Sequence, residues 1–196
     1  MARPRTFDEP QVTRQAREVF HDQGYAATSV EHLTAATGLS RSSLYGAFGD
    51  KHGLFLRAFA QYCDDHAAAI EHELAGDPSG ARARLEAHLR GKVSDPDAPR
   101  RGCLLAKATA ELAGEDADVA RTATDFYAAY ERALTACVRD AQTAGDVRAD
   151  LDPAGAGALL LSVLRGLETL GRARHPVASL HASVDSAMAL LAAPGR

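Results

Sequence analysis

Apolar residues in this chain recur at steps of three and four, and no stretch keeps the two-residue alternation of a half-buried strand. The pattern predicts helices throughout. Residues 10–23 form the first, with Ala16, Val19 and Phe20 on one stripe and Gly24 just past its end as a C-cap. Thr28-Ser-Val-Glu31 has the spacing of a capping box and opens a second helix that runs to about Thr37. Gly38 breaks it, Ser40 is placed to cap a short third helix, and Asp50 caps a long fourth from about Lys51 into Glu73. Gly76-Asp-Pro-Ser-Gly80 and Asp95-Pro-Asp-Ala-Pro99 read as turns. Further helices are expected at about 81–93, 101–113, 116–143, 153–172 and 177–192, separated by breaks such as Gly145-Asp146 and His175-Pro176. About nine helices, no strand, no internal repeat and no low-complexity tail make this an all-α chain.

The third of these helices has an unusual polar face. Leu33, Ala36, Leu39, Leu44 and Phe48 are spaced to pack inward, which leaves Arg41, Ser42, Ser43 and Tyr45 outward. All four donate hydrogen bonds, and the segment 38–49 holds no carboxylate. Two short helices joined by a turn headed by Gly38 are the helix-turn-helix pattern, whose second helix enters the major groove. Arginine can fork onto guanine, serines can donate to bases or phosphates, and a tyrosine can reach a phosphate or a thymine methyl. Thr28, Ser29 and Lys51 sit at helix N-termini, where backbone N–H groups already favour phosphate. By periodicity alone a merely solvated helix face stands beside this reading.

Charge confines the nucleic-acid reading to one end. The chain of 196 residues is 46% hydrophobic with a formal charge of −4, as expected of an ordinary globular protein. Residues 1–52 carry six basic and six acidic residues, so the whole deficit lies downstream and only this quarter suits a polyanion. Cys63, Cys103 and Cys137 are widely spaced with no CxxC, which fits a reducing cytosol and supplies neither a disulfide framework nor a zinc site. The N-terminus lacks an apolar run of signal-peptide type, and the longest such run, Ala154 to Leu161, is far short of the ~20 residues of a membrane span. A soluble, cytoplasmic protein is the expectation.

The run FHDQGYAATSVEHLTAATGLSRSSLYGAFGDKHGLF, Phe20 to Phe55, resembles the N-terminal DNA-binding domain of the TetR family of bacterial transcriptional regulators. Phe20, Gly24, Tyr25, Thr28, Ser29, Leu33, Ala35, Gly38, Ser40, Leu44, Tyr45, Phe48, Lys51 and Leu54 fall where that pattern expects them. A second segment, RGCLLAKATAEL (Arg101 to Leu112), is similar to one found in a subgroup of these regulators. The resemblance implies a three-helix DNA-binding domain, 1–52, and a larger helical ligand-binding and dimerisation domain, 53–196. It also implies a double-stranded DNA operator, a homodimer, and repression released by a small, largely apolar effector. Ser40, Arg41, Ser42, Ser43 and Tyr45 match the recognition helix and its cap; Thr28, Ser29 and Lys51 match phosphate-contact positions. Family members often carry His or Tyr at the two positions held here by Gly46 and Ala47, and Arg3 and Arg5 in the N-terminal arm are candidates to replace the lost contact.

In the larger domain, Phe126, Tyr127 and Tyr130 cluster on a long helix facing candidates such as Leu104, Leu105, Leu112, Leu160 and Leu164. They form either a ligand pocket with tyrosine hydroxyls as polar handles or ordinary core. Cys103, beside Arg100 and Arg101, is either a redox or electrophile sensor or a small buried hydrophobe. The last two helices carry Leu159, Leu160, Val163, Leu164, Leu167, Leu170, Val184, Met188 and Leu191, more apolar surface than one helix pair needs, and are the expected dimer interface. The histidines read as solvated surface, His66 and His72 being six residues apart and so off one face. No metal, cofactor or catalytic residue is expected. A di-iron helical-bundle enzyme needs Glu-x-x-His on two helices, and only Glu18-Val-Phe-His21 is present. A protein-interaction module would account for the helices but not for the donor-rich face.

Overall fold

The computed structural model describes residues 7–93 and 103–193. Arg3, Arg5, Arg100, Arg101 and the turn expected at 95–99 lie outside the described residues. Within them are nine α-helices: α1 (Glu9–Gln23), α2 (Val30–Thr37), α3 (Arg41–Phe48), α4 (Lys51–Leu74), α5 (Ala81–Gly91), α6 (Leu104–Leu112), α7 (Ala117–Thr143), α8 (Pro153–Arg172) and α9 (Val177–Leu191). A 3-10 turn, Pro78–Gly80, precedes α5. Helix boundaries follow the punctuation of the sequence. Gly38 ends α2 in the left-handed conformation at φ +69°, and the side chains of Ser40 and Asp50 accept from Ser43 N and Gly53 N at the starts of α3 and α4.

The chain divides into two compact units, residues 1–65 with 101–125, and residues 66–100 with 126–196. Compactness therefore groups α6 and the first turns of α7 with the N-terminal helices, a division different from a cut at residue 52. α4 and α7 each begin in the first unit and end in the second.

In the first unit Phe20, Leu33, Leu44, Leu54, Phe55 and Phe59 are fully buried and Phe48 nearly so. Phe55 meets Phe20 edge-on at 5.1 Å between centroids and stacks on Phe59 at 5.7 Å. Each such phenylalanine contributes about 1.5–3 kcal/mol of burial, so the aromatic cluster is what holds α1 and α4 together. Leu39 is only half-buried and Ala36 is exposed, against the inward placement expected for both. An eight-residue α2 turns one narrow stripe inward, and Leu33 fills it.

In the second unit α8 lies close on α7: Gly157 leaves no room for a Cβ against the Thr135 hydroxyl and its backbone. Leu85, Leu89, Leu134, Leu160, Leu164, Leu180 and Val184 fill the core between α5, α7, α8 and α9. The dimer face expected on the last two helices needs correction here. Leu160, Leu164, Leu167, Val184, Met188 and Leu191 are at most 4% exposed within the single chain. They form the seam of α8 on α9 and its neighbours, because the whole apolar set at three- and four-residue steps is consumed by core. The surface-facing apolar residues are Leu159, Leu170 and Leu190, with Val163 half-buried.

Candidate nucleic-acid interface

α3 is anchored by Leu44, Ala47 and Phe48, all buried, and this anchoring turns Arg41, Ser42, Ser43 and Tyr45 into solvent. Ser40 is the N-cap: its Oγ accepts from Ser43 N at 3.1 Å and lies 3.0 and 2.9 Å from the hydroxyls of Ser42 and Ser43. Three hydroxyls thus gather at the positive end of α3, an arrangement suited to phosphate or base acceptors. Arg41 extends along the helix, with Nε donating to Tyr45 Oη at 3.4 Å and its guanidinium 5.8 Å from that ring. A carboxylate does come near. Glu31 Oε1 of α2 lies 3.8 Å from Arg41 Nη1, both side chains well exposed. Hydrogen bonds from its own backbone and the Ser29 hydroxyl, assisted by Arg41, hold the Glu31 carboxyl below the usual range. The face is rich in donors but not free of acid.

Of the expected phosphate contacts, Thr28 is spent inside the fold and Lys51 is partly engaged there. Thr28 is 2% exposed and its hydroxyl donates to Gly24 O at 2.6 Å. Thr28 is therefore a structural group of the α1–α2 turn, and the capping box moves on by one residue. Ser29 is the N-cap, accepting from His32 N at 3.2 Å, and His32 Nδ1 accepts from Ser29 N at 3.3 Å. Lys51 directs Nζ to Tyr25 O at 3.0 Å and Thr28 O at 2.9 Å, above the Tyr25 ring at 4.2 Å. Two of its three N–H donors close the turn, leaving one for an external phosphate. Gly46 is exposed with open space where a Cβ would stand, while Ala47 is buried.

The same turn is held by residues that the sequence reading did not single out. On α6, Glu111 Oε2 accepts from Tyr25 N at 3.0 Å and Ala26 N at 2.9 Å. One helical turn earlier, Lys107 Nζ donates to His21 O at 2.5 Å and Asp22 O at 3.1 Å. The only trace in the sequence is a Lys and a Glu four residues apart in RGCLLAKATAEL, a spacing that reads as an ordinary exposed helix pair.

The candidate effector residues divide between the units. In the first, Leu104 is buried and Cys103 is half-buried at the N-cap of α6, with its sulfur 3.5 Å from the Tyr62 hydroxyl. Burial pushes the neighbouring Cys63 thiol up to about 12. In the second, Phe126, Tyr130 and Leu164 are buried and Tyr127 half-buried. Tyr130 Oη lies 2.5 Å from His88 Nε2, and Glu73 Oε1 lies 2.9 Å from His88 Nδ1. His88 is wholly buried, a correction to the reading of the histidines as surface groups. The Arg165 guanidinium stands 5.4 Å from the Tyr130 ring and 5.9 Å from that of Tyr127, and pairs with Glu168 at 2.9 Å. Desolvation lowers the His88 pKa and raises that of Tyr130, so both are neutral at pH 7.

On the outside of α8 and α9, Leu159, Val163, Ala182, Ser183, Ser186, Ala187 and Leu190 line an open apolar groove of about 390 Å³. Among the described residues no helix is long and apolar enough to cross a membrane.

Comparison with known proteins fits this geometry. Residues 12–58 match the family model described as bacterial regulatory proteins, tetR family, and residues 81–186 match the tetracyclin repressor-like C-terminal domain. The HTH-type transcriptional repressor ComR of Escherichia coli (strain K12) is 28% identical over 173 residues, covering 87% of this chain and 82% of ComR. The structure of a triple cysteine mutant of the TetR family transcriptional regulator CifR, complexed with 26-bp double-strand operator DNA, is 30% identical with a TM-score of 0.76. That match covers 97% of this chain and all of CifR's. A crystal structure of reduced E. coli NemR shares the fold at a TM-score of 0.81 and 14% identity, covering 95% of this chain and 98% of NemR's. With family models spanning both its helix-turn-helix and most of its second unit, the chain belongs to the TetR family and is a DNA-binding transcriptional regulator, not an enzyme.

Proposed function

We propose that this regulator is a cytoplasmic repressor that binds a partly palindromic operator as a homodimer and leaves it when a small, largely apolar effector binds. Residues 1–52 would carry the DNA surface and 53–196 the effector and dimer surfaces. The observation that carries this is the face of α3: Arg41, Ser42, Ser43 and Tyr45 stand in solvent on a helix anchored by buried Leu44 and Phe48. Similarity to the transcriptional repressor ComR and to the operator-bound CifR supports it. Selection of binding sites from random DNA is the test. A recovered two-fold-symmetric motif supports the reading; recovery of no motif contradicts it.

One copy of an eight-residue recognition helix contacts too few bases for useful specificity, and paired half-sites about one helical turn apart supply the rest. The exposed Leu159, Leu170 and Leu190 and the groove beside them are the apolar surface available for pairing. Leu159→Asp or Leu190→Asp should give folded monomers by sedimentation, with weakened operator binding. A wild-type chain that is monomeric at micromolar concentration would contradict the dimer.

For the effector, the aromatic cluster of Phe126, Tyr127 and Tyr130 around His88 and Arg165 supplies apolar walls with polar handles. α4 runs unbroken from Lys51 to Leu74, so a displacement of its far end is transmitted along one helix. A hundredfold loss of DNA affinity requires about 2.7 kcal/mol of differential effector binding. A compound found by thermal shift and titrated into the operator complex tests this with wild type and Tyr130→Phe. A tight binder that leaves the complex intact is not the inducer.

A second reading is favoured by one observation: Cys103 is half-exposed at a helix N-terminus with a phenolic hydroxyl 3.5 Å from its sulfur. Redox or electrophile sensing would then act through Cys103. Peroxide or an alkylating electrophile should release DNA from wild type and not from Cys103→Ser.

A further inference from the structure

The α1–α2 turn carries α2 and, through it, the recognition helix, yet its own residues satisfy only part of its backbone, at Gly24 and Thr28. Tyr25 and Ala26 lie between two helices, where their N–H groups have no helical acceptor, and His21 and Asp22 present last-turn carbonyls of α1. All four groups are met from α6. Glu111 takes both N–H groups on one carboxylate oxygen, and Lys107 takes both carbonyls on one ammonium. The charges have the right signs, a cation at a helix C-terminus and an anion on free amides. The turn is also shaped for this visitor: Gly24 holds φ +81°, and a Cβ there would overlap the Glu111 carboxylate. Lys51 grips the turn from α4 at Tyr25 O and Thr28 O.

We propose that Lys107 and Glu111 are positioning residues for operator binding, acting as a two-point clamp by which α6 fixes the α1–α2 turn and thereby the pose of the helix-turn-helix. Neither touches DNA. Their effect passes through the backbone of residues 21–26 to Ser29 at the head of α2, and through Lys51, which shares the turn.

The test uses the full chain and a duplex recovered by the wild-type protein from random-sequence DNA. Glu111→Leu removes the acceptor and should lose about tenfold in affinity for that duplex, with faster amide exchange at Tyr25 and Ala26 and a thermal midpoint close to wild type. Glu111→Gln keeps an oxygen at the same reach and should stay within about twofold of wild type on the same scale. Lys107→Met should behave as Glu111→Leu, and the double variant should lose less than the product of the two. Glu111→Leu binding like wild type, or Glu111→Gln losing as much as Glu111→Leu, would overturn the proposal. If the wild-type chain selects no duplex, the operator reading fails by itself; amide exchange at Tyr25 and Ala26 then decides the clamp, with unchanged exchange in Glu111→Leu overturning it.

Discussion

The face of α3 and the cluster around His88 are built from similar chemistry, an arginine, a tyrosine and small polar partners, with opposite outcomes. On α3 Arg41 is 62% exposed and touches its neighbours loosely, at 3.4 Å to Tyr45 and 3.8 Å to Glu31. Around His88 the tyrosine, the histidine and the glutamate close on one another at 2.5 and 2.9 Å with His88 fully buried. The difference follows from desolvation. A buried polar group without a partner costs about 1–3 kcal/mol, so Tyr130 Oη is met by His88 Nε2 from its own chain, while His88 Nδ1 has the Glu73 carboxylate beside it without a hydrogen bond. An exposed donor loses nothing to water and is available for a phosphate or base edge. Groups left loose mark where an external partner is recognised; groups tied tightly hold the fold.

The largest test of that contrast exchanges a leucine for a charge on either side of α8. Leu167→Asp places a carboxylate at a site 2% exposed and should abolish folding, costing more than about 4 kcal/mol. Leu159→Asp, at 45% exposure, should leave the monomer's circular dichroism and melting intact. Equal unfolding in both would break the division between core and surface drawn above.

Within the buried cluster, Tyr130→Phe removes the hydroxyl that meets His88 Nε2 and should cost about 1–3 kcal/mol in denaturant midpoint at unchanged slope. Tyr45→Phe, on the exposed face, should change stability by less than about 0.5 kcal/mol. Lys51→Ala falls between them. Thr28 O loses the ammonium and Tyr25 O keeps only the Thr28 N–H, so a stability loss of about 1 kcal/mol should accompany weaker binding to all DNA sequences and a salt slope lower by about one.

The smallest expected effect is one of pH. Burial, chiefly, holds the His88 pKa below its usual 6.5, with Lys92 and Arg165 adding to the depression and Glu73 opposing it. Above 6.5 the imidazole is neutral folded and unfolded, and stability is at its full value. As pH falls below 6.5 the unfolded chain takes up the proton first, so stability declines through the interval down to the folded pKa. Urea titrations at pH 7.5 and 5.5 on wild type and His88→Gln should show a smaller acid loss in the variant; identical losses would remove His88 as the source.

The helices were legible in the sequence because their caps are local: Gly38, Ser40 and Asp50 act on backbone within a few residues. The outward set on α3 was legible for the same reason, since an eight-residue helix with buried Leu44 and Phe48 has one outward face. The internal roles of Thr28 and Lys51 were not legible because their partners, Gly24 O, Tyr25 O and Thr28 O, are backbone atoms whose direction depends on how a turn closes. Lys107, Glu111 and His88 were missed because each acts across tens of residues, where periodicity carries no information. Apolar spacing on α8 and α9 could not separate core from interface, because buried Leu160 and exposed Leu159 are adjacent and equally hydrophobic.

The central claim is that α3 reads base sequence, and Arg41→Ala on two duplexes tests it most directly. Competition binding would compare a duplex selected by the wild-type chain with a scrambled one at fixed salt. If Arg41 forms a bidentate base contact, the variant should lose about 1–3 kcal/mol on the selected duplex and much less on the scrambled one. Equal losses on both would reduce Arg41 to a phosphate contact and contradict the claim.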